Sequence, residues 1–542
     1  MNVPITPESI APVTATARQE PRPPESGAPA QAAPKADKRR GVVLIAVLVV
    51  VASLSLAGYH YSDSMVSEYK ASENAHRNVQ ARTFAASGVH YTAALLSNPE
   101  NFAAVLNGNP WNNPNMFQNI EIDPGSNLKG RFSIIAPPAP DDNSDLTVPY
   151  YGVGDEGGKI NPNMLMKIDP TGQRLHDVLV LLPNMTEDIA NCIVAWMGGS
   201  VGVTNGGAGN DVYSAMSPPY RAKGGPIDSI DELLLVRGVT RDLLYGTDFN
   251  RNGSQEGNES GSNGFDRGWS GYLTVHSREP NSDVLGVPYI FLNTVFSALD
   301  DTAMKQVYDG LTAGQVSDDM AKFIILYRQY KTTARKAGST PAKGETHGTL
   351  GEITLAVRSG QTITSVYDLI DIEIVVNKKI LASPLTSKDG SQFAAVFAAA
   401  TMIDPTDATN PQYKELGRLN VMTAPRAVLA AFPELTPADV DNIITARPKL
   451  STTDAPDPAF ASPIWLNTKA SVKVSTLKKL EKYVTTRTQV YRFQAVGYFE
   501  GKGPAIRIEA VIDTNAGRPR ILMWRDLTEL GKGWNDMPAA TP

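Results

Sequence analysis

The sequence predicts an α+β protein: a long N-terminal helix packed on an antiparallel sheet, with a large, mostly helical domain set between the early and late strands. Three observations carry this. Gly41 to Ser62 holds no charged residue, and the helical pattern runs on toward Leu96 with no proline before Pro99. Near the other end, Val490–Phe499, Ala505–Ile512 and Pro519–Arg525 alternate apolar and polar residues at period two around turns at Glu500–Gly503 and Thr514–Gly517, the pattern of an antiparallel meander. Between these, from Gly158, the texture is one of short apolar helices joined by tight turns.

Residues 1–36 are rich in Pro, Ala, Glu and Thr without periodicity, so 1–41 is expected to be a disordered leader. At about 1.5 Å per residue the stretch 42–61 crosses a hydrocarbon core of about 30 Å. Lys38, Arg39 and Arg40 precede it and Asp63 and Glu68 follow, which by the positive-inside bias places the leader in the cytoplasm and the bulk outside it. A secretory signal peptide would need a small-residue cleavage site after the apolar segment, and Ala57-Gly58-Tyr59 is a poor one; a plain signal anchor is the other reading. Beyond the span, Met65, Tyr69, Val79, Phe84 and Val89 lie among Glu68, Lys70, Glu73, Arg77 and Arg82, so residues to 96 are expected to form an amphipathic continuation.

With 542 residues the chain has room for about two folded units beyond this helix. A net charge of −6 gives no general attraction to nucleic acid. The single cysteine, Cys192, sits in an apolar helical stretch and can form no internal disulfide. The six histidines show no HExxH spacing. Gly198–Gly202 fits G-x-S-x-G, but that elbow needs a strand before it and a helix after it, whereas the preceding segment reads as helix and the following one as Gly/Asn-rich loop. No nucleophile, base and orienter can be grouped, so an enzyme is not expected.

Residues 97–157 hold mixed short elements and one clear strand, Gly130–Ala136. The helical domain is expected over 158–450. Within it Leu182–Glu187, Val236–Arg241 and Phe432–Pro437 each end an apolar helix and offer Thr186, Thr240 or Thr436 as the cap of the next. DNA-binding helix-hairpin-helix units have this outline, with glycine turns that bring backbone N–H groups to phosphate. Only Gly238 supplies such a glycine, beside acidic Asp231, Glu232 and Asp242, so a structural use is favoured over a membrane-anchored DNA-binding protein of an uptake system. Lys331–Gly348 reads as a Lys/Thr/Gly-rich loop, 451–530 as the closing strands and 531–542 as a tail.

One loop carries a ligand pattern. Asp248 to Glu259 matches D-x-[DN]-x-[DN]-G-x₅-E at every specified position. The six to eight oxygens that calcium takes could come from the side chains of Asp248, Asn250 and Asn252, the carbonyl of Ser254, Glu256 directly or through water, and Glu259 bidentate, with Gly253 at the sharp turn. Ser260–Gly264 is unsuited to an exiting helix, which leaves a solvated Asn/Gly loop as the other reading and Asp266 as a substitute for Glu259.

The basic cluster before Gly41, the apolar helix directly after it and the amphipathic continuation resemble the type IV prepilin signature. Gly158–Asn163, Pro226–Thr240 and Gly417–Leu429 further resemble, in order, characteristic blocks of the K-type minor pseudopilins of type II secretion (general secretion pathway protein K). The resemblance implies cleavage between Gly41 and Val42 by a prepilin peptidase and N-methylation of Val42. It also implies a structural calcium ion and a place at the tip of the pseudopilus, initiating or capping the filament, with I- and J-type minor pseudopilins and an inner-membrane assembly platform as partners. Most pilins carry glutamate at the fifth mature position; Ala46 stands there, as expected of the subunit with none ahead of it. A minor pilin of a related type IV filament is the neighbouring reading. Two departures stand out: Ala195-Trp196-Met197-Gly198 lacks the aspartates usual in that family, and residues 263–416 are longer than usual.

Overall fold

A computed structural model describes residues 40–542 apart from 123–128, 138–149, 258, 260–264, 284–285, 389, 411, 413, 449–456, 488, 501–502, 516–517, 532 and 534–542. The expected disordered leader and most of the expected tail lie outside the described residues. The chain falls into two units, one ending at Ser72 and one beginning at Glu73.

Helix α1 spans Arg40–Ser97, close to the expected end at 96. In the first unit its side chains from Val42 onward are exposed, and by length and apolar composition this helix is able to cross a membrane. In the second unit it buries Ala81, Phe84, Ala85, Val89, Ala93 and Leu96, a stripe with the 3.6-residue repeat. The expected apolar face is therefore corrected in part: Phe84 and Val89 are core, whereas Met65, Tyr69 and Val79 are exposed. Val79 lies two residues, about 200° of helical turn, from Ala81 and so points away from the stripe.

That stripe packs on a seven-stranded sheet whose pairings are all antiparallel. The strands are β1 (Ile120–Ile122), β2 (Gly130–Ala136), β3 (Tyr150–Tyr151), β4 (Gly154–Asp155), β5 (Val490–Phe499), β6 (Ala505–Asp513) and β7 (Arg520–Asp526). The main path runs β1-β2-β5-β6-β7, with β3 beside β2 and β4 beside β5. The early strand and the late meander are thus one sheet, as expected, joined through pairs such as Gln494 with Ile135 and Gly497 with Phe132. Tyr491, Phe493 and Ala495 of β5 and Ile506, Ile508, Ala510 and Ile512 of β6 form one core with the α1 stripe. Helix and sheet approach closely at Gly497, where a Cβ would overlap the Ala81 carbonyl and the Ala85 amide.

Between β4 and β5 lies the helical domain with its own core. The three threonines do cap: Thr186 accepts from Ile189 N at 3.3 Å to start α2 (Glu187–Trp196), Thr240 from Leu243 N at 3.3 Å to start α3 (Arg241–Tyr245), and Thr436 from Asp439 N at 3.2 Å to start α4 (Pro437–Ala446). Each hydroxyl satisfies an N–H that the first helical turn leaves open.

Two expectations change here. The boundary placed at 450 falls inside this core, which takes in Ile464, Trp465, Leu466, Leu477, Leu480 and Val484, so the closing strands start only at Val490. The loop expected over Lys331–Gly348 contributes Arg335–Lys336 and Thr346–His347 as the edge strands of a four-stranded sheet around Ile372–Val376 and Lys379–Ala382. Two-residue edges are too short to leave a period in the sequence.

Candidate functional site

Of the polar positions of β5 and β6 that alternate with the α1-facing core, Gln494, Arg507, Glu509 and Asp513 are buried and Arg492 is partly buried. Arg492, Gln494, Arg507, Glu509 and Asp513 stand on this second face. Each meets a group from the chain between β4 and β5, or a neighbour that does. Arg492 Nε donates to Glu156 Oε1 at 2.8 Å, its Nη2 to Glu156 Oε2 at 3.1 Å and its Nη1 to Glu509 Oε1 at 3.0 Å, while Lys159 Nζ lies 3.0 Å from Glu156. Burial alone would raise the Glu156 carboxyl, yet Arg492 and Lys159 hold it well below the usual carboxylate range. Arg278 reaches Asp513 at 2.6 Å, and Arg525 of β7 pairs with Asp231.

The Asp248–Glu259 loop sits on the same face. Gln494 donates to the Arg251 carbonyl and Arg507 Nη2 to the Asn250 carbonyl, both at 2.6 Å. Arg251 itself stacks over the Tyr245 ring, 3.8 Å from its centroid. The loop therefore hangs from two strand side chains and one cation–π contact.

Its internal winding places the expected residues as follows. Asp248 Oδ1 accepts from Asn252 N at 3.1 Å and Oδ2 from Gly253 N at 2.9 Å. Asn250 Oδ1 accepts from Asn252 N at 2.9 Å, and Asn252 Oδ1 from Ser254 N at 2.7 Å. Gly253 turns the chain at φ +72°, a conformation that favours glycine. Glu259 folds back, its Oε1 accepting from Phe249 N at 3.1 Å and Asn250 N at 3.4 Å, its Oε2 from Glu256 N at 3.1 Å. Glu256 Oε1 accepts from Asn252 Nδ2 at 3.1 Å.

Glu259 closes the loop, and Asp266 does not: the Asp266 carboxylate accepts from Gly268 N at 2.9 Å and its carbonyl from Thr247 N at 2.8 Å. The loop thus brings together Asp248, Asn250, Asn252, Ser254, Glu256 and Glu259. Among the described residues no three His, Cys, Asp or Glu side chains converge into a metal-holding group, so a cation here would draw on amide and carbonyl oxygens beside two carboxylates. The donor set suits that. Asp248, Asn252, Ser254 and Glu259 are buried, and the Ser254 hydroxyl has no hydrogen-bond partner among the described residues. Burial pushes the Asp248 carboxyl up to about 6, Glu259's charge adding to the rise and the Gly253 N–H and the Arg267 charge opposing it.

Sequence reasoning did not find Arg507 and Gln494. Their only signal is the polar half of the strand alternation, which looks the same whether it faces water or another domain.

At the other end, Val42 and Ala46 are exposed on α1, and Gly41 is helical. The Gly198–Gly202 elbow fails on its first requirement, since α2 and not a strand precedes it; contrary to expectation a short helix, Ser200–Thr204, follows. Of the possible hairpin turns only Val236–Arg241 presents a glycine, Gly238, and the neighbouring Asp231 is paired with Arg525 and Arg251.

Residues 158–245 match a family model described as type II secretion system (T2SS), protein K. The resemblance to protein K read from the sequence is borne out over this segment, which covers the first helical units and ends at Tyr245, just before the loop. No curated protein matches the chain. Among solved structures, a chain of the GspK-GspI-GspJ complex of the type 2 secretion system of enterotoxigenic Escherichia coli aligns with 85% of this chain and 98% of its own length at 9% identity and a TM-score of 0.30.

Proposed function

We propose that this chain, a type II secretion protein K by its 158–245 segment, is a non-enzymatic minor pseudopilin at the tip of the pseudopilus. The supporting observation is that the protein K segment belongs to a helical domain set between strands of a sheet packed under α1, whose other half is apolar and exposed. Such a subunit sits in the inner membrane by a single pass, N-terminus in the cytoplasm and bulk in the periplasm, touching lipid along 42–61. Prepilin peptidase cuts after Gly41 and the new N-terminus, Val42, is methylated. Ala46 offers no carboxylate in the membrane, so this subunit leads I- and J-type pseudopilins and follows none.

The test is purification of the tagged chain from cells with an intact secretion system. A protein starting at methylated Val42 that brings I- and J-type pseudopilins with it supports the reading. An intact leader with an active peptidase, or no pseudopilin partners, overturns it.

The same reading assigns a structural calcium ion to the loop, held by Asp248, Asn250, Asn252, Ser254 and Glu259, with Glu256 reached directly or through water. Its chemistry would be ordering, by neutralising the buried Asp248 and Glu259 carboxylates together. Calorimetric titration of the full-length protein should show one calcium bound, lost in Asp248→Ala; no heat of binding in the unaltered protein refutes the assignment.

A further inference from the structure

The chain beyond β7 returns to the loop. The Leu527 amide donates to the Arg507 carbonyl at 2.8 Å, the Arg507 amide to the Thr528 hydroxyl at 3.2 Å, and Gly531 N to Thr528 O at 3.1 Å. Two residues further on, the Gly533 carbonyl accepts from Asn252 Nδ2, a loop side chain that is 1% exposed. Gly533 has φ +86°, and a Cβ on it would meet Arg507 Nη1. Arg507 is fully buried and its Nη2 holds the Asn250 carbonyl. One guanidinium thus touches the loop and the C-terminal segment at once, and one loop amide bridges them a second time.

We propose that the chain after β7, through Leu527, Thr528 and Gly533, is the outer wall of the cation loop, so that cation binding and the seating of these residues are one equilibrium. The inference rests on the calcium reading above. Its physical basis is the two-ended use of Asn252. Asn252 Oδ1 accepts from Ser254 N and keeps a second lone pair for a cation, which would hold the amide group further and with it the Nδ2 donation to Gly533 O. Arg507 acts alike from the sheet side: it fixes the Asn250 carbonyl and leaves room for the wall only where residue 533 has no side chain. Linkage then requires the converse, that a seated wall tightens cation binding by the same factor.

The experiment is hydrogen exchange of peptides covering 527–533 in the full-length, detergent-solubilised protein, with calcium or with chelator, beside calorimetric calcium titration of the same sample. Calcium should slow exchange of these peptides by about tenfold, a typical coupling between linked sites. Gly533→Ala, which leaves every loop ligand in place, should remove the protection and weaken calcium binding by the same factor. Calcium that binds without changing exchange at 527–533 overturns the wall while leaving the calcium site standing. No calcium binding by the unaltered protein overturns both, and a Gly533→Ala protein with unaltered affinity and protection overturns the coupling alone.

Discussion

The two faces of the β5–β6 pair are built from the same alternation and are both buried, yet by opposite chemistry. Under α1 the contact is Phe493, Ala495, Ile508 and Ala510 against Phe84, Ala85 and Val89, close-packed and uncharged. On the reverse, Arg492, Gln494, Arg507, Glu509 and Asp513 meet charged and carbonyl groups of the inserted chain. The first face suits a permanent helix-on-sheet core, because dispersion and burial need no partner charge. The second answers most of its charges with opposite ones, and removing one partner of such a pair leaves the other stranded, whereas buried Arg507 meets only carbonyl oxygens among the described residues. The difference explains how an insertion longer than the sheet domain itself is held in one orientation: ion pairs and amide contacts have direction where apolar contact has little.

The comparison can be broken at either face. Arg492→Ala takes the arginine from Glu509 and leaves Glu156 with Lys159 alone, and should cost about 3–5 kcal/mol; Phe493→Ala on the opposite face should cost a similar 3–5 kcal/mol, both read by urea unfolding. They should part company with pH. Glu156 is held below its unfolded range, so its contribution is present above an unfolded value of about 4.3 and fades as pH falls through the lower folded value; the Phe493 contribution should be flat there. Equal pH profiles for the two variants would contradict the distinction. Next in size, Gly497→Ala should cost about 1–3 kcal/mol through the α1 backbone, without changing calcium binding.

Calcium should stabilise the protein by about 2.7 kcal/mol at a hundredfold excess over its dissociation constant, seen as a rise in melting temperature that Asp248→Ala removes. A smaller effect is its pH dependence. The Asp248 carboxyl of the cation-free loop stands at about 6, above its unfolded value, so the cation-free fold loses stability as pH rises from about 4 to 6, and calcium must displace a proton below 6. Its apparent affinity should be level above about pH 6 and fall about tenfold per unit below it. A level affinity down to pH 5 would remove Asp248 from the ligand set. Smallest of all, Ala46→Glu lies in the first unit, outside the folded cores, and should leave the unfolding curve of the second unit unchanged within about 0.5 kcal/mol while perturbing assembly with partner subunits.

Much of this was legible in the residues. The strand Gly130–Ala136, the three closing strands and the threonine caps each leave a periodic or chemical mark, and the structure places them within a residue or two of expectation. The turn at Gly253 and the return of Glu259 onto the Asp248 loop were legible in the spacing of these residues. What stayed hidden is what depends on contact between distant segments. Period two in β5 and β6 marks two faces without saying that both are covered. Ile464–Val484 carries helical signals that do not say which core it joins. Arg507 became part of the loop's surroundings only when residues 250 and 507 came together, and Met65 and Tyr69 show that an amphipathic spacing does not by itself bury a residue.

The central claim is that the polar face is a joint held by specific pairs, and a double-mutant cycle between Glu156 and Arg492 tests it most directly. Glu156→Leu and Arg492→Met are made singly and together, and unfolding of the full-length protein is followed in urea. The account predicts that each single change is strongly destabilising and that the pair together costs less than their sum by at least about 2 kcal/mol. A coupling near zero, with the two losses simply adding, would mean that the helical domain is seated on the sheet by something other than these charges.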